Sequence, residues 1–187
     1  MAREVVVVRH GATEWSANGR HTSSTDLPLT DEGRGEAEHL RARLAQREFD
    51  LVLTSPLQRA RDTAAICGLG DRAEIDELLR EWDYGEYEGI TTAEIRTTIP
   101  GWTVWTGACP GGETIADVAR RADAVLARVD GIDGVVAVFS HGHFSRVLVA
   151  RWLGLPADHG RLFAMRTGTV NVLGYEREQR VLSALNG

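Results

Sequence analysis

Glu4-Val5-Val6-Val7-Val8-Arg9-His10-Gly11 is the stretch on which the fold turns. Four consecutive β-branched residues form a strand, and because no polar residue alternates with them, both of its faces must be covered. Such a strand lies inside a parallel sheet, whose neighbours are joined by crossover segments, usually helices. Leu51-Val52-Leu53 and Val135 to Phe139 repeat the apolar run, and each leads into a helical segment. This alternation predicts an α/β architecture, a three-layer α/β/α sandwich around a mostly parallel central sheet.

The helices are read from spacing and caps. After Thr30 as N-cap, Ala37, Leu40 and Leu44 share one face. Ser55-Pro56 sets a capping hydroxyl before a first-turn proline, so a helix is expected from there through Ala60, Ala64 and Ile66, with Arg59 in its first turn. Ile115 to Val129 and Phe144 to Leu153 keep helical spacing, whereas Leu162 to Met165, Val170 to Tyr175 and Arg180 to Leu185 read as closing strands. Thr97 to Gly112, with Pro100, Trp102, Trp105 and Pro110, reads as a loop or lid.

With 187 residues, 43% of them apolar, residues 1–187 are expected to form a single domain. All 21 basic residues are Arg, which excludes a P-loop lysine, a Schiff-base lysine and a lysine dyad. A net charge of −6 argues against nucleic acid and anionic membrane as partners. Cys67 and Cys109 form no CxxC, and the N-terminus turns polar too soon for a signal peptide, so a cytoplasmic protein is expected.

Ligands of open α/β sheets bind outside the carboxyl ends of the parallel strands. Here those ends carry Arg9-His10-Gly11, Ser55 leading to Arg59, and Ser140-His141-Gly142. A lone strand-end histidine is most often structural, but two histidines and two arginines converging point to a shared ligand. A tetrahedral phosphoryl group suits guanidinium forks, helix N-termini and imidazole. No third ligand with suitable spacing accompanies His10 and His141, so neither a metal nor another cofactor is expected.

Val8-Arg9-His10-Gly11-Ala12-Thr13 resembles the RHG signature of the histidine phosphatase superfamily, the phosphoglycerate mutase-like enzymes. The match continues in order along nearly the whole chain. Leu27 to Gly33 resembles the family's PLTxxG segment, and Asp50 to Thr63 its SSPLxRAxxT segment. Glu81, Gly85 and Glu88-Gly89 resemble ExxxGxxEG, Pro110 to Thr114 resembles PGGES, and Ser140-His141-Gly142 resembles the second histidine motif. The resemblance implies the phosphoglycerate mutase-like fold. It also implies that His10 takes the phosphoryl group as a phosphohistidine, that Arg9, Arg59 and His141 hold its oxygens, and that Glu81 protonates the leaving group and later deprotonates water. For Glu81 to donate, its neighbours Asp83, Glu86 and Glu88 and burial beside Trp82 would have to favour its protonated form. Nucleophilic His10 must be neutral, with one ring N–H held by an acceptor such as the backbone at Gly11.

Against the family pattern, Ser16 stands in place of an asparagine that contacts phosphate, and Thr22-Ser23 in place of Thr-Gly, which puts a side chain where backbone approaches substrate. Gly142 and His143 complete the expected binding set, His143 beside the leaving group. The segment after Glu81 lacks a mutase's lysine and paired arginines, offering only Arg96, and Trp82 stands where mutases have Arg. Hydrolysis of small phosphomonoesters is therefore expected, ahead of a cofactor-dependent phosphoglycerate mutase and a non-catalytic phosphate- or phosphoprotein-binding module. The expected pocket mouth is apolar, built from Trp82, Tyr84, Trp102 and Trp105 and suited to aryl esters. Family precedent makes a homodimer the expected assembly. His21 and His159 read as surface or loop residues and His39 as part of a polar helix face.

Overall fold

A computed structural model describes residues 3–187. Six strands, β1 (Glu4–Arg9), β2 (Leu51–Thr54), β3 (Ala73–Ile75), β4 (Val135–Ser140), β5 (Thr169–Glu176) and β6 (Gln179–Ala184), form one sheet in the order β3-β2-β4-β1-β5-β6. The first four are parallel, and β5 and β6 close one edge in antiparallel register. Alternate valines of β1 serve opposite faces of the sheet, as the period of two requires. Val5 and Val7 pack with Val118, Val125, Phe144 and Leu148, from α5 (Ile115–Asp130) and α6 (Gly142–Trp152). Val6 and Val8 pack with Leu40, Leu44 and Ala64, from α2 (Asp31–Leu44) and α3 (Gln58–Ile66). The three layers follow from these two cores. The short helices α1 (Glu14–Asn18) and α4 (Thr92–Thr98) flank the carboxyl ends of the parallel strands.

Three local expectations are corrected, and one strand was not foreseen. Leu162 to Met165 is no strand: a 3-10 turn covers Ala157–Leu162, and irregular backbone follows. Four carbonyls between Gly160 and Met165 are taken by side chains, Gly160 and Arg161 by Arg146, Ala164 by Asn186 and Met165 by Arg9, which withdraws them from any ladder. Helix α3 begins at Gln58 because Leu57 is still extended; Ser55 Oγ accepts from Leu57 N (3.3 Å), ahead of the helix, as well as from His141, and the Gln58 N–H donates to Asp26 Oδ1 (2.7 Å) from another loop. Strand β3, three residues at an exposed edge, has no apolar run to announce it. The segment Thr97 to Gly112 starts within α4, and Trp102, Val104 and Cys109 pack into the core, with the Trp102 indole N–H on Ala108 O (3.0 Å).

Candidate active site

His10 follows β1 where the chain leaves the sheet. Its Nδ1 lies 2.7 Å from Gly11 O, and burial first, then the Arg59 and Arg9 charges, hold its pKa well below the usual imidazole value. A neutral ring whose Nδ1–H donates to a carbonyl keeps an unprotonated Nε2. Gly11 is required here by close approach, since a Cβ would lie 2.2 Å from Gly33 O at the start of α2. Thr63 Oγ1 accepts from Gly11 N (3.1 Å) and donates to Arg59 O (2.7 Å), tying the loop to α3.

Arg59 is fully buried. Its Nε donates to His141 Nδ1 (3.2 Å), Nη1 to Thr25 O (3.0 Å), and Nη2 to Thr22 O (3.3 Å) and Ser23 O (3.0 Å). With Nδ1 accepting, neutral His141 carries its proton on Nε2 and donates to Ser55 Oγ (2.7 Å). Burial and then Arg59 hold the His141 pKa well below the usual value. Its ring meets that of His10 edge-on, with centroids 5.1 Å apart. Both nitrogens of His141 are thus engaged by protein, and Arg59 and His141 form the floor beneath His10. Arg9 donates from Nη1 to Met165 O, whereas its buried Nε has no partner. The same guanidinium lies against Gly142, where a Cβ would stand 3.3 Å from Arg9 Cζ.

Glu81 reaches the site from the loop after a 3-10 turn at Glu77–Leu79. Oε1 accepts from Trp82 N (2.9 Å) and Phe144 N (2.7 Å), and Oε2 from His143 N (3.0 Å). Two of these donors are orphan N–H groups at the start of α6, a natural seat for a carboxylate. Its expected acidic neighbours do not turn to it: Glu88 binds Ser23 and Thr25, and Asp83 accepts from Gly85 N. Oε2 accepts only one backbone bond and retains a lone pair for a proton.

Arg9, His10 and Glu81 open on a cavity of about 220 Å³, small beside most ligand pockets, whereas Arg59 and His141 lie behind its lining. Of the expected residues, Arg9, His10, Ser16, Thr22, Glu81, Tyr84, Gly142 and His143 line it. Ser16 does so with its hydroxyl spent on the Thr13 capping box of α1, accepting from Thr13 N (2.9 Å) and donating to Thr13 O (3.0 Å). Ser23 is a correction: its hydroxyl donates to Glu88 Oε2 (2.7 Å), away from the cavity. The apolar mouth is another. Trp82 is 1% exposed, its indole N–H on Glu113 O (2.9 Å), and Trp102 belongs to the core. Trp105 stands behind the wall, edge-on to Trp82 and His143 and beneath Arg146.

The wall is polar instead. His21, expected at the surface, is buried and lines the cavity, its Nε2 3.2 Å from Thr92 Oγ1 and its ring 4.6 Å from that of Tyr84. Tyr84 Oη lies 2.6 Å from His143 Nδ1. Burial pushes the Tyr84 phenol well up and the His143 imidazole well down, so the phenol keeps its proton and donates, and His143 carries its own on Nε2. Arg20 and Arg146 also line the cavity and were missed. Arg146 had a signal: it lies three residues after His143 on one helix, hence on the same face.

The family described as "Histidine phosphatase superfamily (branch 1)" matches residues 5–187. An acid phosphatase of Mycobacterium tuberculosis is 44% identical over 185 residues, covering 97% of this chain and 91% of its own length. A glucosyl-3-phosphoglycerate phosphatase of Mycolicibacterium vanbaalenii is 37% identical, covering 84% and 77%. A solved structure from Mycobacterium tuberculosis superposes with a TM-score of 0.91 at 43% identity, covering 98% of this chain and 97% of the other.

Proposed function

The chain belongs to the histidine phosphatase superfamily, branch 1, and from that membership we propose that it is a phosphomonoesterase whose phosphoryl carrier is His10. Acid phosphatase and sugar-acid phosphatase relatives support hydrolysis over isomerisation. The observation that carries the assignment is the Nδ1 contact of His10 with Gly11 O, which leaves a neutral Nε2 in a cavity ringed by guanidinium groups.

The reaction follows from these groups. Nε2 of His10 attacks phosphorus in line, the bond to the ester oxygen breaks, and a proton from Glu81 Oε2 neutralises the departing alkoxide. Charge developing on the equatorial oxygens meets Arg9, whose unpartnered Nε is a donor waiting for an acceptor. Arg59 adds its charge from the floor, held in place by His141 and the carbonyls of Thr22, Ser23 and Thr25. Water then attacks the phosphohistidine and gives its proton to Glu81, and phosphate leaves with His10 and Glu81 restored.

The test is inorganic phosphate release from a panel of phosphomonoesters, with and without EDTA, for the native enzyme and His10→Ala. Release that survives EDTA and falls by at least about a thousandfold in His10→Ala is expected for a covalent nucleophile. Isomerisation of 3-phosphoglycerate without phosphate release would overturn the hydrolase reading.

A further inference from the structure

The Pro110 to Thr114 motif and helix α5 after it take no part in the chemistry above, yet they grip the segment that carries Glu81. That segment has no helix or ladder of its own: after the 3-10 turn Glu77–Leu79, residues 80–84 are irregular. Side chains hold it instead. Arg121 of α5 donates from Nη1 to Leu78 O (2.7 Å) and Arg80 O (2.9 Å), from Nη2 to Glu81 O (3.3 Å) and Glu113 Oε2 (2.6 Å), and from Nε to Glu113 Oε1 (2.7 Å). A guanidinium has five N–H donors, and all of them are engaged here, two in a bidentate carboxylate pair and three on the Glu81 segment. Ser140 Oγ, at the end of β4, donates to the carbonyl left over, Leu79 O (2.8 Å), so the successive carbonyls of Leu78 to Glu81 all accept from side chains.

Glu113 holds the chain on the other side of Glu81. Its N–H donates to Asp83 O (2.9 Å), its Oε2 accepts from Asp83 N (3.0 Å), and its carbonyl accepts from the Trp82 indole N–H (2.9 Å). The two segments lie this close because both contribute glycine: a Cβ on Gly112 would stand 2.3 Å from Asp83 O, and one on Gly85 2.1 Å from Pro110 O. The ion pair therefore brackets Glu81 from before and after. Arg121 Cζ also lies 4.9 Å from the centre of the Phe144 ring, and Phe144 N donates to Glu81 Oε1 (2.7 Å). One guanidinium thus touches both the segment that carries the carboxylate and the residue that seats it, although neither Arg121 nor Glu113 lines the cavity.

We propose that Arg121 and Glu113 are positioning residues for the general acid: their ion pair clamps the segment from Leu78 to Asp83 so that Glu81 Oε2 stays within reach of the leaving oxygen and of the attacking water. This rests on the phosphomonoesterase reading and deepens it. A catalytic group misplaced by about 1 Å loses roughly a hundredfold in the step it serves. The three backbone bonds to the Glu81 carboxylate survive when the clamp is cut, so a loss on the order of tenfold is expected, and only where the leaving group needs a proton. Lysine, with three donors and no planar fork, restores part of the clamp.

The test is the ratio of kcat/KM for 4-nitrobenzyl phosphate to that for 4-nitrophenyl phosphate, esters close in size that leave as an alkoxide and as a stabilised phenoxide. Because kcat/KM reports the step that forms the phosphohistidine, the ratio isolates proton donation from water attack. Arg121→Met should lower it by on the order of tenfold, and Arg121→Lys should recover part of the loss. In a Glu81→Gln background the same Arg121→Met change should leave the ratio where it is, since the group it positions is gone. Glu113→Gln, which keeps the backbone bonds to Asp83 and Trp82, should lower the ratio in the same direction and decides the matter if Arg121→Met does not fold. Equal losses on both esters, as a merely structural pair would give, overturn the proposal and leave the phosphatase standing. An equal fall of the ratio with and without Glu81 overturns action through the acid. No phosphate release by the native enzyme from either ester removes the hydrolase reading and the clamp with it.

Discussion

Substitution of Gly33 tests how the nucleophile is held, because Gly33 lies in α2 and touches no substrate. Gly→Ala in a helix ordinarily stabilises by about 0.5–1 kcal/mol. At Gly33 a Cβ would lie 2.1 Å from Ala12 O, just after His10-Gly11, where the α2 N-cap also binds: Thr30 N and Oγ1 both donate to Ala12 O (3.0 and 3.2 Å). Real Cβ contacts do not fall below 3.0 Å, so helix and loop must part by close to about 1 Å. Overpacking of this kind costs about 1–3 kcal/mol, which outweighs the helical gain, and a shift of about 1 Å at a nucleophile lowers kcat by roughly a hundredfold. Gly35 is the internal control: it lies in the same helix with nothing within 4 Å of its would-be Cβ, so Gly35→Ala should be stabilising and kinetically silent. Urea unfolding and steady-state hydrolysis of an aryl phosphate read both quantities. Gly33→Ala behaving like Gly35→Ala would refute the claim that α2 clamps the His10 loop.

Glu81→Gln should slow alkyl phosphates by roughly a hundredfold or more and aryl phosphates much less, because a good leaving group needs little proton donation; equal losses on both would speak against the acid role. Arg59→Lys, which forfeits the forked bonds to Thr22, Ser23 and Thr25, should lose roughly 3 kcal/mol in urea unfolding and most of its activity, whereas a near-silent exchange would contradict its place in the floor. Stability should depend on pH through His10, His21, His141 and His143, all held below 6.5 primarily by burial. The unfolded chain protonates them near 6.5 and the native chain does not, so stability is full above that pH and declines as pH falls below it. The slope reaches up to about 1.4 kcal/mol per pH unit for each imidazole, and a flat profile from pH 7 to 5 would contradict it.

Three of the four parallel strands and the placing of the candidate site residues were legible because they are local: Val5 to Val8 can only be a two-sided strand, and Arg9, His10, Arg59 and His141 occupy strand ends and a first turn. The wall of the cavity was not, because it is assembled from long-range packing. Trp82 and Trp102 look like a mouth in sequence, yet their bulk was needed in the core beside α5 and α6, and their indole N–H groups found backbone acceptors. His21 looked like a surface residue because nothing in its neighbours announces Tyr84 and Thr92. Leu162 to Met165 has the composition of a strand, but four of the carbonyls between Gly160 and Met165 serve side chains instead.

The central claim is that His10 becomes phosphorylated. A rapid acid-free quench of enzyme with a radiolabelled phosphomonoester, followed by digestion and peptide sequencing, tests it most directly. The account predicts base-stable, acid-labile phosphate on the peptide carrying His10, formed faster than phosphate is released and absent from His10→Ala. Turnover without any protein-bound phosphate, or label on a residue other than His10, would contradict it.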